Sequence, residues 1–120
     1  MSTAKFDTLS NVAGTQTVPV ATVAQGSAKA WVNFNGTGTI AIRASFNVSS
    51  ITDVAAGQYE VNFTTAMSDA NYSVVAVTGT SISSFGYTGA GAVDSTKAYV
   101  ATYNPPNFAD APSVSVAVFR

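Results

Sequence analysis

At 120 residues the chain has the size of one domain and can bury a core of its own. It contains no cysteine and no histidine, which excludes disulfides, Cys/His zinc sites, thiol nucleophiles and Ser-His-Asp triads. Only 9% of residues are charged, against about 25% in ordinary globular chains, while 47% are hydrophobic and the net charge is −1.

That composition lies opposite to the disordered class, which is poor in hydrophobics and rich in net charge. So few charges cannot coat a small monomer. Either the surface is neutral Ser, Thr, Asn and Ala, as in some extracellular and virion proteins, or part of it is covered between subunits, where charge is depleted. The second is favoured, because colloidal solubility wants a net charge of magnitude about 2–8. The basic residues Lys5, Lys29, Arg43, Lys97 and Arg120 are scattered and form no stripe, so no nucleic-acid partner is expected. No apolar run of about 18 residues suggests membrane insertion. The opening MSTAKFDTLS lacks the apolar stretch of a secretory signal. Asn-x-Ser/Thr matches at Asn47, Asn62 and Asn71 are chance occurrences in so Asn/Ser/Thr-rich a chain.

Residues 1–28 alternate weakly and carry glycines and Pro19; they read as an extended arm that orders against another chain, with a flexible leader as the plain alternative. From residue 29 a period of two becomes firm, so residues 29–120 form the folded domain. Val32 and Phe34 share one face, and Ile40, Ile42, Ala44 and Phe46 another. Phe34 is expected opposite Ile40 and Val32 opposite Ile42, across a Gly36-Thr37-Gly38 loop with Gly38 left-handed. That register sets Trp31 across from Arg43, as a cation–π contact or plain packing. In the next hairpin Ile51 is expected opposite Tyr59, with DVAAG as the turn. Phe46 and Ile51 differ in parity, which predicts a bulge near Ser49-Ser50. MSDANY predicts an Asx turn. YSVVAVT, residues 72–78, is apolar on both sides, as in a central strand or a subunit contact. Residues 79–96 read as a glycine-rich loop with a short strand near Ile82. KAYVATY is a strand, and NPPNFADAP a loop stiffened by Pro105 and Pro106. SVSVAVF closes the fold with Val114, Val116 and Val118 inward. The fold class is therefore all-β: an antiparallel β-sandwich or jelly-roll-like domain of about 7–8 strands behind the arm.

Little here points to catalysis, and no cofactor or metal is expected. Asp53 and Glu60 flank one hairpin and are the only candidates for a glycosidase-like carboxylate pair, but turn aspartates usually cap turns. GTGTI and GYTGAGA precede no helix and make poor phosphate cradles. No Asp ladder suggests calcium. Recognition fits better. Phe85, Tyr87, Tyr103 and Phe108 lie in or beside the two irregular loops, and Asn104 and Asn107 flank the double proline. Aromatics with amides suit a neutral sugar, by stacking and hydrogen bonding; the plain reading is that they plug the core.

The stretches GSAKAWVNFNGTGTIAIRASFNVSSITD (26–53), GQYEVNFTTAM (57–67) and DANYSVV (69–75) resemble a β-rich module of tail-fibre-type proteins of tailed bacteriophages, especially marine and cyanobacterial ones. The opening MSTAKFDTLSNVAGTQTVPV is more loosely similar to their short leaders. The turn DVAAGQY is poorer in glycine than in that family, and AMSDANY stands where it has AMPDANY. The resemblance covers less than half of the chain and stops before the later loops. It implies a virion structural protein on the phage particle surface: a fibre or appendage subunit, not an enzyme. Residues 1–28 would attach to other tail or capsid proteins, and the β-domain would be displayed toward a host-surface glycan. Such fibres are generally homotrimers, which implies a homo-oligomer. A capsid decoration or head-fibre protein that binds no receptor is the alternative, and a free carbohydrate-binding module a distant third.

Overall fold

The computed structural model describes residues 2–79 and 86–120. The expected strand near Ile82 and the site candidate Phe85 lie outside the described residues. Beyond residue 29 the alternation translates directly into strands, and their apolar faces meet as an antiparallel sandwich.

The arm is more structured than an extended chain. Thr8–Ser10 (β1) pairs antiparallel with Thr17–Pro19 (β2), and Val20–Gly26 form a short helix, α1. Pro19, at φ −59°, pre-sets the helix entry, and Ala21 and Ala24 favour helix inside it. The Ser27 hydroxyl donates to the Val23 carbonyl at 2.6 Å and closes the end. None of residues 2–27 is buried. The arm projects from the sandwich, so the molecule extends 54 Å along its longest axis. Its radius of gyration is 17.3 Å, against about 14 Å for a compact domain of this length.

The first sheet has the order β4-β3-β11-β7, from Ala41–Phe46, Ala30–Asn35, Ser113–Phe119 and Ser73–Gly79. In the second, β5 (Val48–Ala55) pairs β6 (Gln58–Phe63), which pairs β9 (Lys97–Asn104). β8 (Tyr87–Asp94) pairs the other side of β9, and the two-residue β10 (Asn107–Phe108) folds back on its end. The core lies between the sheets. Ala30, Val32, Phe34, Val114, Val116 and Val118 come from one side, and Tyr59, Val61, Phe63, Ala98 and Val100 from the other. Phe34 meets Tyr59 edge-on at 5.3 Å between ring centroids, and Phe63 meets Tyr72 at 5.6 Å.

Several registers differ from expectation. Phe34 lies opposite Ile42 across a longer loop, and beyond it Val32 lies opposite Ser45 and Trp31 opposite Phe46, because Arg43 is an extra residue in β4. The Asn35 carboxamide oxygen accepts from the Thr37 amide and hydroxyl, and this local turn lengthens the loop. Gly38 is left-handed, at φ +60°, as the turn chemistry requires. The bulge releases the Arg43 guanidinium toward Asn33 Oδ1 (3.3 Å) and the Pro112 carbonyl (2.6 Å) rather than toward Trp31. It also turns Phe46 outward. In the second hairpin Asp53, not Ile51, lies opposite Tyr59, and Ile51 lies opposite Val61. The turn there is only Ala56-Gly57. The irregularity expected near Ser49-Ser50 is present, between Val48 and Ser50. Asn71 donates its amide to Asp69 Oδ1 at 2.8 Å, the expected Asx turn. Within the described part of the supposed loop 79–96, Tyr87–Asp94 is the strand β8, paired along its length with β9. Gly89 and Gly91 hide the alternation there. A Cβ on Gly91 would lie 2.8 Å from the Tyr99 ring, so the glycine makes room for its cross-strand neighbour.

Asn47 carries the chain from the first sheet to the second at φ +55°. Its carboxamide donates to the Lys29 and Thr65 carbonyls at 3.0 Å and accepts from the Thr65 amide at 2.7 Å. At the same end of the sandwich Arg120 grips Asp69 through two bonds of 2.8 and 2.9 Å. The guanidinium and the Asn71 amide lower the Asp69 carboxyl to about 2.

Candidate functional site

Three of the aromatic candidates meet. Tyr103, near the end of β9, lies opposite Tyr87 of β8 on one side and Phe108 of β10 on the other. Opposed residues of an antiparallel pair point to the same side, so the three rings form one outward row. Tyr103 and Phe108 pack edge-on at 5.3 Å, and Tyr87 and Tyr103 lie 6.5 Å apart, tilted by 44°. Tyr87 is 69% exposed and Phe108 49%, so neither plugs the core. Asn104 and Asn107 pair across the Pro105-Pro106 turn, and both are exposed. The Tyr103 hydroxyl donates to the Pro106 carbonyl at 2.9 Å, which fixes the central ring over the turn. Tyr87 belongs to a strand rather than to the loop expected of it, and Phe85 lies outside the described residues.

A second set of residues holds this row in place. Gly57 adopts φ +65°, and a Cβ there would lie 2.5 Å from the Thr102 carbonyl and 2.7 Å from Ala109. Only glycine permits that approach. The Gly57 amide donates to Asp110 Oδ1 at 2.7 Å, and the Thr102 amide to the Gly57 carbonyl at 2.7 Å. The buried Thr102 hydroxyl bonds the Ala109 carbonyl. The Tyr59 hydroxyl lies 2.9 Å from Asp110 Oδ1 and 3.1 Å from the Gly36 carbonyl. Burial, and then the Asp110 carboxylate beside it, push the Tyr59 phenol well above its usual range. It stays neutral and acts as a donor. The 104–111 loop is thereby clamped to the core through Asp110.

The other chemical candidates do not assemble. Thr52, not Asp53, lies opposite Glu60, so the two carboxylates point to opposite faces of their hairpin. Glu60 instead holds Lys97, at 2.9 Å. Among the described residues no three acidic side chains gather as metal ligands. The arrangement offers an exposed aromatic row with amide neighbours and no proton-transfer pair; such a surface can stack on an apolar ring face and exchange hydrogen bonds.

Compared with known protein families, curated proteins and solved structures, the chain matches none.

Two features escaped sequence reading. Tyr99 joins the outward face four residues before Tyr103, and alternation from Tyr103 was the available signal. The Asp110 clamp joins residues more than 50 apart in the chain, and no local pattern marks it.

Proposed function

We propose that the chain is a subunit of a bacteriophage surface appendage. Residues 1–28 attach it to other virion proteins, and the β-domain is displayed toward a host-surface glycan. The observation that carries this reading is the arm: no residue from 2 to 27 is buried, although Phe6, Leu9, Val12 and Val23 are apolar. A lone two-stranded hairpin and a seven-residue helix are each marginal in water. The arm therefore acquires its stability from something outside its own sandwich. The outward row Tyr87, Tyr103 and Phe108, with Asn104 and Asn107, supports the sugar part of the reading, and sparse charge supports a homo-oligomer, a trimer by resemblance. Neither catalysis nor a cofactor is invoked.

A second reading, capsid decoration without a receptor, is favoured by one observation. The Tyr103 and Phe108 rings pack edge-on against each other, and the cavity beside them, lined by Thr102, Asn104 and Asp110, holds only about 30 Å³. Antibody labelling of purified particles, followed by glycan-array binding of the intact chain, tests both. Labelled particles with glycan binding support the adhesin, labelled particles without it support decoration, and unlabelled particles overturn both.

A further inference from the structure

The outer face of the first sheet has no role in the reading above. Along it, Trp31 of β3, Ala117 of β11 and Val75 of β7 lie in one row, with Val77 one row further on opposite Ser115. Trp31 is 40% exposed, Val75 61% and Val77 64%. The small outward residues of β11 leave a groove of about 250 Å³, with Trp31 as one wall and the two valines as the other.

We propose that this face is a contact between copies of the chain, in which Trp31 of one copy seats in the β11 groove of the next. Three observations name a second copy as the occupant. First, the ridge and the groove are neighbours on one face, so the surface is complementary to itself and the contact can repeat around a symmetry axis. Second, the polar groups of the groove are already satisfied. Asn33 Nδ2 donates to Ser115 Oγ at 2.9 Å, and Arg43 holds Asn33 Oδ1 and the Pro112 carbonyl. Among the described residues no carboxylate lies on the face, so it selects a neutral apolar partner, which its own copy provides. Third, the size suits a weak contact between copies. Strands of six to seven residues, spaced about 4.8 Å apart and rising about 3.3 Å per residue, make a face of roughly 15–20 Å by 20 Å. Two such faces bury roughly 600–800 Å² in total, below the roughly 1,200–2,000 Å² of stable interfaces, so association is weak and belongs at the upper end of the micromolar range.

The contact deepens the homo-oligomer part of the appendage reading and rests on that part alone. The chain has a single tryptophan, so Trp31 emission reports the groove directly. The experiment measures the mass of the full chain by light scattering from about 1 to about 100 μM, with Trp31 emission at each concentration. The expected result is a mass above 12.2 kDa that falls on dilution while the emission shifts to the red. Val75→Asp and Val77→Asp, both on the exposed face, should weaken association at least about 100-fold by burying an unpaired carboxylate, with an unchanged circular-dichroism spectrum. Should either valine variant lose its native spectrum, Ser115→Gln, which fills the groove floor without a charge, replaces it. A monomer throughout the range overturns the contact. So does an oligomer that tolerates both variants, or one whose Trp31 emission stays that of an exposed indole. Particle labelling is independent: labelled particles with a monomeric chain would overturn this contact and leave the appendage reading standing.

Discussion

From the outside of the first sheet, β3, β11 and β7 present Trp31, Ala117 and Val75 in one row. From the outside of the second, β8, β9 and β6 present Gly91, Tyr99 and Glu60. The inner faces are alike in being apolar, and Phe34 of one meets Tyr59 of the other. The outer faces are not. One carries no ionised group apart from the tied-down Arg43, while the other carries the Glu60–Lys97 pair, amides and the tyrosines. An outward strand position adds nothing to the core, so its residue records what the surface has to meet. The first face is suited to an apolar neighbour, and the second to water and small polar ligands.

The largest expected effect tests the division between inside and outside. Val116→Asp buries an unpaired charge and should cost on the order of several kcal/mol, enough to abolish the thermal transition. Ser115→Asp, one residue along, should leave the melting temperature within a few degrees in dilute solution. Equal losses would mean that the facing of β11 is misassigned. Next comes the Gly57 clamp beneath the aromatic row. Gly57→Ala forces a Cβ onto the Thr102 carbonyl and should cost about 2–4 kcal/mol, read by urea unfolding; a neutral result would show that the 104–111 loop is not held to the core. A third experiment compares the outer faces directly. Tyr87→Ala combined with Phe108→Ala should abolish glycan binding with a loss of no more than about 1 kcal/mol, because both rings are half exposed or more. Phe46→Ser, on the other outer face, should leave binding intact; if it does not, the recognition surface lies on the wrong sheet.

The smallest effect is electrostatic. Glu60 raises the Lys97 ammonium above its ordinary value, chiefly by hydrogen bonding to it. A raised lysine contributes stability that is fully present below its unfolded pKa and is lost as pH rises through the folded one. Glu60→Gln should therefore lower the melting temperature by a degree or two near neutral pH and low salt, and by progressively less as pH rises through the folded lysine's pKa or as salt approaches about 1 M. An equal shift at every pH and salt concentration would identify a packing effect instead.

Much of this was legible in the residues. Alternation fixed the inward valines of β11 and the core side of β3; the β5 irregularity stands where the parity of Phe46 and Ile51 placed it, but Phe46 faces outward, so that parity is not its cause. Failures arose where a side chain reached beyond its own strand. The Arg43 bulge exists because a guanidinium finds partners at Asn33 and Pro112, and it turned Phe46 from core to surface. The β8 strand was lost to two glycines, and the reason for one of them, the Tyr99 ring beside Gly91, lies on the next strand. For the aromatic row, residue type was informative, whereas its assembly depended on the β9–β10 return and on Asp110, both set by distant contacts.

The position of β11 has a consequence for biosynthesis. It lies between β3 and β7, so the middle of the first sheet is the last strand to be made. Trp31 waits for Ala117, about 85 residues later, which is roughly 4–17 s at ordinary ribosome speeds. Between the synthesis of β7 and that of β11, β3 has one unpaired edge and β7 has no partner in its sheet. The first sheet therefore cannot be assembled in the order of its synthesis, because β7 joins it only through β11.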